Sequence, residues 1–187
     1  MRLTRVEITD FRSVFADQKR GPFAIDLASG NNTLVGPNNC GKSNVLRAIA
    51  LALDQHARYD PAIDNPGPRQ FAYPVITLRF EVGADEANDE QLIHKAKEYE
   101  RLVGADSTFA ERGEAFLRVT FEPSADGPRR KETILTPNHA SPTQPEHLEA
   151  MAEAIAELRE RVRFVLINSG ESIKSVLEGN FREILHS

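Results

Sequence analysis

The chain has 187 residues, 40% of them hydrophobic and 27% charged, and its 23 basic and 28 acidic residues give a formal net charge of −5. That length suggests one domain with a real core, and the composition excludes a disordered or membrane-embedded chain. The acidic balance gives bulk charge no part in nucleic-acid binding and leaves only a local patch for it. One cysteine, Cys40, rules out an internal disulfide framework, and the scattered histidines offer no zinc-ligand spacing. MRLTRVEITD at the N-terminus lacks an apolar signal region and no run is long enough to span a bilayer, so the expected compartment is the cytoplasm.

In chain order, RLTRVEITDF (2–11) alternates with period two, placing Thr4, Val6 and Ile8 on one strand face and Arg5, Glu7 and Thr9 on the other. PFAIDL (22–27) predicts a second strand, and NTLVG (32–36) a short third one running into a glycine loop. From Lys42, the residues Val45, Leu46, Ile49, Ala52 and Leu53 form the buried stripe of an amphipathic helix. ARYDPAIDNPGPRQFAYP (57–74) reads as a proline-rich loop. VITLRFEV (75–82) alternates again, with Ile76, Leu78, Phe80 and Val82 inward. The charged stretch 86–103 carries Leu92, Ala96, Tyr99 and Val103 at helical spacing.

AFLRVTFEP (115–123) and KETILTP (131–137) predict a hairpin joined across SADGPRR. GPRRKE (127–132), the densest basic cluster, reads as the solvated tip of that hairpin. Thr143 and Glu146 form a Thr-x-x-Glu capping box before a helix that buries Leu148, Met151, Ile155 and Leu158. VRFVLI (162–167) predicts a buried strand and SIKSVLEGNFREILHS (172–187) a closing helix. With a hairpin in the middle, this order predicts an α/β layer with an added antiparallel β layer, not a plain doubly wound sheet.

The chemistry concentrates in GPNNCGKS. Gly36, Gly41, Lys42 and Ser43 satisfy every fixed position of G-x-x-x-x-G-K-[ST], with a predicted strand before and a helix after. A phosphate chain must touch several backbone N–H groups at once, and the two glycines supply bare backbone and permit positive φ. The helix beginning near Lys42 aims its free N–H groups and positive dipole end at the phosphates. Lys42 places a point charge between the β- and γ-phosphates, and the Ser43 hydroxyl becomes a Mg²⁺ ligand. The predicted cofactors are therefore ATP and Mg²⁺. Asn38 and Asn39 tolerate left-handed backbone and suit a tight anion nest. Cys40 beside a helix N-terminus admits a redox-switch reading. The plainer one, a small residue where serine would also fit, is adopted.

LTRVEITDFRSV, then FAIDL, then NNTLVGPNNCGKSNVLRAIALAL resembles the opening of the ABC-type heads of the SMC, RecF, SbcC and OLD group of P-loop ATPases. The resemblance covers the first 54 residues, and the double asparagine leans toward the OLD-like branch. It implies a P-loop NTPase fold of ABC-head type, in which Arg12 and Ser13 sit beside the nucleotide and Asn44 belongs to the loop motif. A weaker likeness places Asn168 or Ser169 of FVLINSGES where the family carries a metal-holding glutamine, the glutamine itself being replaced.

ABC-type hydrolysis also needs a strand ending in Asp-Glu (Walker B) and an L-S-G-G-like signature. Neither occurs in the 187 residues. The expectation is a single, partial head: an N-terminal lobe over 1–187 that works with a C-terminal lobe and as a homodimer of heads on ATP binding. The resemblance alone implies DNA as a partner, through DNA repair, chromosome maintenance or phage defence. Two alternatives stand beside it. One is a nucleotide-sensing module without turnover. The other is a P-loop kinase whose lid arginines would be Arg159, Arg161 and Arg163.

Overall fold

The computed structural model describes residues 1–15, 21–65, 73–83, 86–104, 113–134, 144–162 and 164. The strands are β1 (Arg2–Thr9), β2 (Phe23–Asp26), β3 (Val75–Glu81), β4 (Glu114–Glu122) and β5 (Arg129–Ile134). The helices are α1 (Lys42–Leu53), α2 (Pro61–Asp64), α3 (Glu86–Val103) and α4 (Pro145–Glu160). The expected strand at 162–167, the closing helix, Asn168, Ser169 and Thr143 lie outside the described residues.

The strands form one sheet in the order β2-β1-β3-β4-β5. Every neighbouring pair is antiparallel, with Val6 opposite Leu78 and Leu78 opposite Leu117. Period-two alternation sends Val6 and Ile8, Ile76, Leu78 and Phe80, and Ala115, Leu117, Val119 and Phe121 to one face, where all are buried. That face forms a single core with α1, α3 and α4. The described residues thus supply the antiparallel layer of the expected architecture together with the helices that cover it.

Five expectations are corrected. NTLVG is not a strand: residues 31–37 are irregular and Val35 is 87% exposed. A strand requires a paired neighbour, and among the described residues no strand pairs with this segment. On α1, Leu46 is exposed while Ala48 and Leu51 are fully buried. The helix meets the sheet on a stripe rotated from the one that large side chains suggest. On α4, Leu148 is likewise exposed, and Met151, Ala154, Ile155 and Leu158 carry the core. The α4 N-cap is Gln144, without a side-chain cap bond, and Pro145 opens the helix. GPRRKE is not merely a solvated tip. Arg130 lies opposite Phe121 on the core side of β5 and donates to the carbonyls of Ala52 (2.9 Å) and Asp54 (3.1 Å).

Two arginines hold the C-terminal end of α1. Arg159 of α4 donates to Leu53 O at 2.5 Å and Ala52 O at 3.1 Å, beside Arg130. Glu132 balances both, accepting from Arg159 at 2.6 Å and from Arg130 at 2.5 Å. The last turn of α1 contains no basic residue of its own, so its negative dipole end is met by charges from β5 and α4.

Candidate nucleotide-binding loop

The chain turns at residues 38–40 and enters α1 at Lys42. Asn39 sits in the left-handed region at φ 66° and Gly41 at φ 94°, so Asn39, but not Asn38, uses the latitude expected of asparagine. A Cβ on Gly36 would stand 2.7 Å from Cys40 Sγ, and one on Gly41 would lie 3.5 Å from Ser13 Oγ. A side chain at Gly36 would thus displace the Cys40 thiol, whereas Gly41 needs glycine for its positive φ.

The Lys42 ammonium folds back over the loop, donating to Gly36 O (2.8 Å) and Pro37 O (2.7 Å), with Cys40 Sγ at 3.6 Å. Helix α1 starts bare. Its N-cap, Gly41, contributes no side chain, and its first turn holds no acidic residue. Among the described residues, nothing accepts the backbone N–H of Lys42 or Ser43. By contrast, α2 is capped by Asp60, which accepts from Ala62 N, and α4 carries Glu146 in its first turn. Unmet N–H groups, an uncompensated positive dipole end and an ammonium within two residues make a donor set for a polyanion.

These residues fit a triphosphate and its magnesium ion. Lys42 and the N–H groups at the head of α1 would hold phosphate oxygens, and the exposed Ser43 hydroxyl in the same turn would hold the metal. Asn38 and Cys40 are exposed loop residues. Among the described residues no cluster of three His, Cys, Asp or Glu side chains could hold a metal by itself.

Arg12 and Ser13 are brought to this helix from the turn after β1. Phe11 and Val14 exchange two backbone bonds (2.9 and 2.8 Å) across that turn, which leaves Arg12 at φ 50°. Asn44, in the first turn of α1, donates to Ser13 Oγ at 2.7 Å and accepts from Arg12 Nη1 at 3.3 Å. The Asp64 carboxylate, which sequence reasoning missed, anchors this cluster. It is fully buried and accepts from Arg12 Nε (2.9 Å) and Nη2 (2.7 Å) at Oδ1, and from Arg47 Nη2 (3.5 Å) and Asp60 N (3.1 Å) at Oδ2. Asp60-Pro61 is a readable N-cap signal for α2. Asp64's partners, 52 and 17 positions away in sequence, were not readable.

A cavity of about 410 Å³ opens beside the loop, lined by Phe15, Phe23, Ile25, Leu34 and Val35 together with Gly41 and Lys42. The possible kinase-lid arginines lie elsewhere. Arg159 grips the far end of α1, about 18 Å from the loop by helix rise over 12 residues. Burial is the main cause that lowers its pKa, opposed by Glu132. Arg161 is tied to Glu157 at 2.7 Å, and Arg163 lies outside the described residues. Near Asp64, burial and then that carboxylate push the Tyr59 hydroxyl up to about 12.

The family described as an AAA domain matches residues 5–176. The chromosome partition protein Smc of Lactiplantibacillus plantarum is 42% identical over 57 residues, which is 30% of this chain and 4% of that protein. The chain thus spans a small fraction of the length of this curated relative. No helix among the described residues is long and apolar enough to cross a membrane. The match runs through the glycine loop, its helix, the sheet and α4, and on that ground the chain belongs to the AAA domain family, which points to an ATPase-type nucleotide-binding domain.

Proposed function

We propose that the chain is the ATP-binding N-terminal lobe of an ABC-type ATPase head. ATP and Mg²⁺ are held by Gly36, Asn38, Asn39, Cys40, Gly41, Lys42, Ser43 and Asn44, with Arg12 and Ser13 alongside. The observation that carries the reading is the bare head of α1, with no acidic side chain in its first turn and Lys42 folded over the loop. The neighbouring apolar cavity, with Phe15 and Phe23 in its wall, suits a flat base and favours a nucleotide over free phosphate.

Hydrolysis requires groups that polarise the attacking water, and the sequence contains neither an Asp-Glu strand end nor the signature. A second lobe and a partner head supply them in this reading. Val35 at 87% and Leu46 at 42% exposure support it, being large apolar side chains near the loop that another lobe would cover. The relative's name, chromosome partition protein, supports chromosome maintenance among the roles that the sequence resemblance implies.

Calorimetric titration with ATP and Mg²⁺ tests the reading. Wild-type chain is expected to bind and the Lys42→Ala variant to lose binding. Wild-type chain that remains folded yet takes no nucleotide at millimolar ATP overturns it.

A further inference from the structure

We infer that Asp64 is a positioning residue for the nucleotide site, fixing the Arg12 guanidinium against the head of α1 so that its remaining N–H groups face a bound phosphate. The inference rests on the nucleotide reading above. Asp64 has no exposed surface and lies in α2, remote in sequence from the glycine loop.

The contacts are specific to orientation. Asp64 Oδ1 takes both Nε (2.9 Å) and Nη2 (2.7 Å), one edge of the Arg12 guanidinium. The Asp64 carbonyl also accepts the Arg12 backbone N–H at 3.1 Å. Arg12 is thus held by side chain and backbone together, at φ 50°, a left-handed conformation that persists in a non-glycine residue only when its surroundings impose it. The opposite edge, through Nη1, meets Asn44 in the first turn of α1, and Asn44 in turn holds Ser13. Arg12 keeps about a quarter of its side chain exposed, 26%, so the guanidinium is oriented but not sealed.

Stability alone is a weak reason for this arrangement. A buried ion pair is often matched or bettered by apolar side chains of the same volume. What apolar residues cannot do is aim a planar, five-donor cation, and that is the property phosphate recognition uses. Arg47 and Asp60 N on Oδ2 keep the carboxylate itself from rotating.

The test is a double-mutant cycle on the full chain, read by ATP–Mg²⁺ affinity with thermal unfolding in parallel. Asp64→Asn and Arg12→Ala should each weaken ATP roughly tenfold or more, the loss of an oriented charge-assisted bond. The double variant should bind no worse than Arg12→Ala, because Asp64 acts through Arg12. Arg47→Gln, which frees only the Oδ2 side of that carboxylate while Asp60 N still holds it, should weaken ATP less than Asp64→Asn does. Unchanged affinity in Asp64→Asn, or losses that add in the double variant, overturn the inference. If Asp64→Asn does not fold, Arg12→Lys decides: it keeps the charge without the fork, and wild-type affinity in it overturns the inference. Wild-type chain that fails to bind ATP removes the nucleotide reading itself. Wild-type binding with an indifferent Asp64→Asn removes only the positioning role.

Discussion

Replacing Arg159 with methionine tests how α1 is held at the end away from its loop. Methionine keeps an unbranched apolar stem of similar reach and removes the guanidinium. Three bonds disappear: to Leu53 O, Ala52 O and Glu132 Oε1. Two of the three acceptors keep a partner, since Arg130 also reaches Ala52 O at 2.9 Å and Glu132 Oε1 at 2.5 Å. Leu53 O alone loses its arginine donor, which costs about 1–3 kcal/mol where burial keeps water away. Loss of one of two charges facing the dipole end adds about 0.3–1 kcal/mol. Against this, a side chain 9% exposed no longer has to be desolvated. The expected net loss is about 2 kcal/mol, less than the ~3–5 kcal/mol of breaking a buried pair that has no backup. Urea unfolding should show a lower midpoint at unchanged slope. The backup makes a second forecast: Arg130→Met with Arg159→Met should cost more than the two single changes together, because only then are Ala52 O and Glu132 abandoned. A wild-type midpoint in Arg159→Met, or strict additivity in the pair, refutes the clamp.

Further outcomes follow from the loop and from the tyrosines. Gly36→Ala forces a Cβ to 2.7 Å from Cys40 Sγ, and overpacking of this kind should weaken ATP roughly tenfold. Cys40→Ala in the same chain should restore binding, since the remaining neighbour, Cys40 Cβ, is at an ordinary 3.9 Å; a double variant as weak as the single would remove the steric account. Burial raises Tyr59 to about 12 and Tyr99 also upward, with Asp64 and Glu100 as the respective next causes. Both raised groups bind their protons more tightly folded than unfolded. The stability they add is complete below the ordinary value of 10.0 and is lost as pH rises toward 12. Tyrosinate absorbance recorded with circular dichroism should show these two ionising only as the helices melt. Ionisation of both near pH 10 in an intact fold would contradict it.

The sequence by itself determined the parts governed by local rules. Alternation placed β1 and β3, separated the two faces of β1 and named the buried residues of β3, because a strand's two faces follow from period two alone. The loop was equally legible: its backbone takes positive φ at Gly41 and the Cys40 thiol crowds Gly36, conditions that glycine meets best. Tertiary structure decided what depends on neighbours. NTLVG has strand composition but is irregular, and among the described residues no strand pairs with it. The stripe of α1 that is buried, Ala48 and Leu51 rather than Leu46, follows from how closely that helix meets the sheet, a matter of shape that hydrophobicity does not encode. Arg130 read as part of a solvated hairpin tip and Arg159 as a possible lid arginine until the chain brings the carbonyls of Ala52, Leu53 and Asp54 to them. Asp64 is the sharpest case. An aspartate in a proline-rich loop carries no signal of its own, and its meaning arises only when folding sets it between Arg12 and Arg47, where a buried carboxylate must have partners and those partners are thereby held in place.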